Sequence, residues 1–197
     1  MMRNNILILC PIYAPYGGGG GQYFPLLVNN LKKTQIFNKI VIVTEYHNSH
    51  KLIEVSERAT IFRIIPKRDS LENKSFIYSV FSFLCAYTII LLMVPILAFY
   101  YRVSIFQFTR YYYRAVFLVC YFLRSICKIK TVMDIRTSAE RDMLFAKSFG
   151  VDAYLSISEN ITKQLIKSRV DKTKIFQIPN VIEFPNEEPS LLQDNVV

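Results

Sequence analysis

The sequence predicts an α/β protein: a mostly parallel sheet of about seven strands with helices on both faces, one of them a long apolar crossover helix. Three observations lead there. Short β-branched apolar runs recur along the chain, separated by stretches of helical period. Most of these runs, such as IVIV at 40–43 and VSIFQF at 103–108, are apolar without alternation, as strands covered on both faces are. And a chain of 197 residues with 52% hydrophobic side chains can bury a full core.

Taken in order, the first strand is expected at 6–13 and leads into five consecutive glycines, Gly17 to Gly21, of only six in the chain. Glycine is costly to order, so such a cluster is either a flexible solvated loop or a place where an anion must approach bare backbone. A helix follows at 22–33, then strands at 39–45 and 60–66. A long helix at 76–101 leads to a strand at 103–109, a helix at 111–126 and a strand at 131–137. The helix at 138–149 is closed by Gly150; after a strand at 153–158, Ser158 caps a helix at 159–168. A last strand is expected at 174–179, and beyond it NVIEFPNEEPSLLQDNVV, with two prolines and four acids, reads as a linker or tail.

Residues 75–101 carry no charge, and as a helix they reach about 40 Å, enough to cross a hydrocarbon core of about 30 Å. A single crossing, however, would put three expected strands on one side of a bilayer and four on the other, unable to share a sheet. The reading favoured here is a helix lying against the membrane with Tyr100, Tyr101 and Arg102 at the interface. A buried core helix, a true span and a re-entrant hairpin with 111–126 are the alternatives.

Charge placement points the same way. The net charge is +9, and between Glu72 and Asp134 there is no acid but seven basic residues and eight of the thirteen tyrosines. Basic, aromatic and strongly apolar character together suit an anionic lipid surface better than nucleic acid, against a solvated basic rim with no partner. The four cysteines form no CxxC pair and sit in apolar runs, so they read as reduced, buried residues, which suits the cytoplasm. The apolar segment after MMRNN is too short for a secretory signal and is interrupted by Pro11.

In a parallel sheet, ligands bind outside the carboxyl ends of the strands. Those ends hold Tyr13 and the glycine run, Glu45, Thr109 with Arg110, Asp134 through Thr137, and Ser158 with Glu159. Neither GxGxxG nor GxxxxGK[ST] fits, because Gln22 stands where the required glycine would be. His47 and His50 have no third ligand nearby, so no metal site is expected; no GxSxG or Cys–His arrangement appears either. Arg136 suits bidentate contact with phosphate or carboxylate, or equally an ion pair with Asp134 or Glu140.

The order of these pieces resembles the amino-terminal, acceptor-side domain of GT-B glycosyltransferases of retaining family four. The resemblance rests on the strand and glycine-rich loop, KIVIVTE at 39–45, KTVMDIRT at 130–137, DAYLSISENITKQLI at 152–166 and KIFQIPNVIEF at 174–184. It implies one Rossmann-like half of a GT-B fold over residues 1–180, an interdomain linker or tail at 181–197, and no carboxy-terminal donor domain. It further implies hexosyl transfer from a nucleotide-sugar to a lipid-linked or cell-envelope glycan, without a cofactor, at the inner membrane face. Gly19, Gly20 and Gly21 would face the donor diphosphate; Glu45, Arg110, Arg136, Thr137 and Glu140 would face the acceptor. The departures are Arg136-Thr137 where the family often has His-Asp, Asn180-Val181-Ile182-Glu183 without its glycine, and no E-x7-E pair. The chain would then be the acceptor half of a split enzyme acting with a separate donor-domain chain, a truncated product, or one domain taken from a longer protein. A non-catalytic binding or scaffold domain and an integral membrane protein with two spans are the alternatives.

Overall fold

The computed structural model describes residues 4–11, 13, 19–46, 50–66, 76–109, 113–136 and 151–178. Eight strands form one sheet: β1 (Asn5–Leu9), β2 (Lys39–Glu45), β3 (Ile53–Val55), β4 (Ala59–Ile65), β5 (Ile105–Thr109), β6 (Lys130–Ile135), β7 (Ala153–Ser156) and β8 (Ile175–Gln177). Their spatial order is β3-β4-β2-β1-β5-β6-β7-β8, with every pairing parallel except β3 to β4. This is a doubly wound, Rossmann-like sheet, consistent with one half of a GT-B fold. Winding runs outward from β1 through β2 to β4, then returns across the sheet to β5. The topological switch point, where such sheets bind ligands, therefore lies between β1 and β5.

The central runs fill both faces. Leu7, Leu9, Val41, Val43, Phe106 and Phe108 face one layer, and Ile6, Ile8, Ile40 and Ile42 face the other. Helix α1 (Gly19–Thr34) covers the second layer through Tyr23, Phe24 and Val28. The first layer is covered by α2 (Phe76–Tyr100), α3 (Tyr113–Ser125) and α4 (Glu159–Lys167), so helices stand on both faces as expected. The seven expected strands are all present: β2 with the expected bounds, β4 shifted by one residue, and the others shorter at their carboxyl or amino ends. The additional one, β3, is a three-residue antiparallel edge with every residue exposed, so it lacks the apolar run by which the others announce themselves. The expected helix at 138–149 and the tail at 181–197 lie outside the described residues.

Helix α2 does not part the strands: four precede it, four follow it, and all eight share the sheet. Ala86, Ile90 and Val94, spaced by one helical turn, are buried against that sheet. Its end is built tightly. Arg102 adopts a left-handed φ of 48°, its N–H donates to the Phe99 carbonyl, and Val103 N–H donates to Ala98. The same left-handed stop follows the other helices among the described residues, at Gln35, Lys128 and Arg169. Glycine is the favoured residue there, yet none of the four stops uses it, while five stand together ahead of and within the first turn of α1.

Candidate functional site

The residues at the carboxyl edge beside the switch point owe their direction to strand alternation. In β5, Phe106 and Phe108 enter the α2–α3 layer, which turns Gln107 toward α1. In β6, Met133 and Ile135 do the same, leaving Asp134 on the α1 side. Gln107 Nε2 donates to Asp134 Oδ2 at 3.3 Å, and the Arg136 guanidinium meets the same oxygen at 3.1 Å. Arg136 also lies over the Tyr23 ring, its Cζ 3.0 Å from the ring centre. Thus α1, β5 and β6 together fix one guanidinium, held at its rear by a carboxylate and flanked by an aromatic face.

Asp134 is 1% exposed, and burial holds its carboxyl above the ordinary value of 3.8, with Arg136, Gln107 and Tyr23 pulling the other way. Such a group cannot touch a substrate; its effect is to orient Arg136, whose side chain remains 18% exposed. Asp134 Oδ1 and the Oγ1 of Thr109, its register partner at the end of β5, are buried without a hydrogen-bond partner among the described residues. Burial also pushes the Tyr23 phenol to about 12, so it stays a neutral donor.

A second polar group stands on the β4 side of the switch point. Arg63 of β4 is buried and donates to Glu54 Oε2 of β3 at 2.9 Å. Tyr13, just beyond β1, senses both charges, and burial raises its phenol to about 12. Burial at the end of β1 raises Cys10 to about 12 despite a hydrogen bond with the Thr44 side chain, so it is a thiol at neutral pH and not a nucleophile. Ser158 caps α4 as expected, accepting from Ile161 N–H at 3.3 Å.

Of the residues expected from sequence, Arg136 sits at this edge, and its ion pair with Asp134 is formed. Gly19, Gly20 and Gly21 open α1, whose first-turn N–H groups have no acceptor inside the helix. Glu45 ends β2, half-buried. Arg110, Thr137, Glu140 and His47 lie outside the described residues. Tyr100 is 77% exposed, Tyr101 packs half-buried against Phe62, and Arg102 is exposed. No cluster of metal-ligating side chains occurs among the described residues. Tyr23, Gln107, Arg63 and Glu54 were not singled out by sequence. The available signal was a lone polar residue inside an apolar strand, Gln in VSIFQF and Arg in TIFRII.

No family model matches the chain, and no curated protein sequence matches it. Solved structures do. The fold is similar to that of UDP-N-acetylglucosamine 2-epimerase from Rickettsia bellii, at a TM-score of 0.55 and 10% identity over 90% of this chain. It is also similar to Anabaena Alr3699/HepE in complex with UDP and glucose, at a TM-score of 0.51 and 9% identity over 91% of this chain. The chain spans 45% of the length of each. What it shares with both is the Rossmann-like half described above.

Proposed function

We propose that this chain is the acceptor-binding half of a glycosyltransferase resembling retaining family four, working on a UDP-sugar and a lipid-linked or cell-envelope glycan. The observation that carries the reading is the carboxyl edge at the switch point. There a glycine-rich helix start and a rigidly oriented Arg136 lie on a sheet like those of two proteins whose names or bound ligands include UDP. Backbone N–H groups of Gly19, Gly20 and Gly21 supply donors and the positive end of a helix dipole to a diphosphate. Arg136, fixed by Asp134 and Tyr23, adds a planar fork for a phosphate or an acceptor carboxylate. Glu45, Arg110, Thr137 and Glu140 complete the acceptor side.

In this reaction the acceptor oxygen bonds to the anomeric carbon as the bond to the β-phosphate breaks, and the departing phosphate takes the acceptor proton. The protein's part is positioning and stabilisation of negative charge. Asp134 and Cys10 are too deeply buried to serve as base or nucleophile.

Sugar transfer from UDP-glucose or UDP-N-acetylglucosamine to a lipid-linked glycan, with the chain co-expressed with a donor-domain partner, tests the reading. Arg136→Gln is expected to slow transfer about tenfold, the loss of one charge-assisted contact. No transfer with the partner present, or transfer indifferent to both Arg136→Gln and Gly20→Val, removes it.

A further inference from the structure

The outer layer of α2 and α3 is apolar where it meets solvent. Phe81, Leu84, Leu92 and Ile96 of α2 and Leu118 and Tyr121 of α3 are all more than half exposed, on two helices packed side by side. An apolar surface running over two adjacent helices exceeds what water-facing surfaces usually carry and marks a docking face.

We propose that this face docks on an anionic lipid bilayer, with both helices lying in the plane of the interface and neither crossing it. The in-plane geometry follows from packing. Ala86, Ile90 and Val94 are spent against the sheet, while Leu92 and Ile96, on the opposite side, are 58% and 55% exposed. The stripe that faces the sheet is withheld from lipid, and the two flanks of the helix share one sheet.

Charge decides the occupant. Arg102 and Lys128 are exposed at the carboxyl ends of α2 and α3, with Arg124 and Lys130 beside them. Asp152 offsets part of this, pairing with Arg124 at 3.4 Å and reaching Lys130 at 4.0 Å. The segment from 73 to 133 holds no acid, so a second copy would offer the same basic rim and nothing to complement it. Anionic headgroups do complement it. A hollow of about 650 Å³, lined by Asn5, Asn38, Lys39, Tyr100, Tyr101 and Arg102, lies at the same end and has room for a headgroup phosphate. Lys39 lines it with its ammonium already held by the Ser56 and Glu57 carbonyls at 3.1 and 3.4 Å, a positive charge fixed in place.

The length of α2 connects this face to the sheet edge. Its 25 residues extend about 37 Å, against about 23 Å for the longest strands. Its end is tied to the amino edge through Asn5, whose side-chain amide donates to the Tyr101 carbonyl. Its amino-terminal part, where Phe81 and Leu84 are exposed, therefore overhangs the carboxyl edge and would hold that edge at the bilayer surface.

Flotation of the whole chain with vesicles tests this, and vesicle binding can succeed or fail whatever sugar nucleotides do. Vesicles of phosphatidylcholine with about one-third phosphatidylglycerol should retain the protein, pure phosphatidylcholine far less, and salt or alkaline carbonate should release it. The paired change Leu92→Asp with Ile96→Asp should reduce retention about tenfold or more. Arg102→Glu and Lys128→Glu should each reduce it about fivefold or more without touching the apolar face. Absence of binding, indifference to both sets of variants, or resistance to carbonate overturns the proposal. So does a concentration-dependent dimer in sedimentation that Leu92→Asp abolishes, since that would give the face to a second copy.

Discussion

If α2 is held by the sheet rather than by lipid on all sides, two residues two positions apart on it must behave oppositely when shortened. Ile90 is 0% exposed, facing the sheet between the buried Ala86 and Val94, whereas Leu92 is 58% exposed. Ile90→Ala removes three carbons from a closed site and leaves a cavity, a change that costs about 2–5 kcal/mol. Taking about 3 kcal/mol, and about 2–4 °C per kcal/mol for a chain of this size, the melting temperature falls by about 6–12 °C. Leu92→Ala loses little burial and should stay within about 0.5 kcal/mol, or about 2 °C. Thermal unfolding followed by far-ultraviolet circular dichroism, without lipid or detergent, reads both. Equal shifts for the two variants, or an indifferent Ile90→Ala, would mean that the helix is not packed on the sheet by that stripe.

Two further outcomes follow from local geometry. Arg169 terminates α4 at a left-handed φ of 64°, a conformation that costs a side chain about 1 kcal/mol and glycine nothing. Arg169→Gly should therefore raise stability in urea by about 0.5 kcal/mol after the extra freedom of the unfolded chain is counted; a loss would mean the arginine makes a stabilising contact of its own. For Asp134, the folded carboxyl is raised above 3.8, so the stability linked to its protonation is present below that value and lost as pH rises through the folded one. Asp134→Asn fixes the neutral form. Whatever its offset from losing the Arg136 pair, its stability relative to the natural chain should climb as pH rises from 3.8 through the folded value. Parallel pH curves would refute the raised carboxyl.

Much of the sheet was legible because strands buried on both faces must be apolar at nearly every position, and IVIV or IFQF states that without any partner. β3 was not legible, since three exposed residues pair only because β4 is already there. Within the site, Arg136 could be found from its place at a strand end. Its settings could not: Tyr23 stands 113 positions away in sequence, and which face Gln107 takes depends on where Phe106 and Phe108 find their core. A polar residue interrupting an apolar strand was the cue available for both Gln107 and Arg63.

By itself, then, the sequence determined that a parallel α/β sheet would form, where its carboxyl edge would lie, and that a glycine run would stand between the first strand and the first helix, whereas the structure draws Gly19, Gly20 and Gly21 into the first turn of α1. These are local properties, set by burial pattern and by backbone freedom residue by residue. Tertiary structure alone decided which way α2 faces and what holds Arg136. A helix apolar on every side has no period to read, so only contact with the sheet selects Ala86, Ile90 and Val94 as inner and Leu92 and Ile96 as outer. A charged side chain likewise acquires its orientation only from neighbours that folding brings to it.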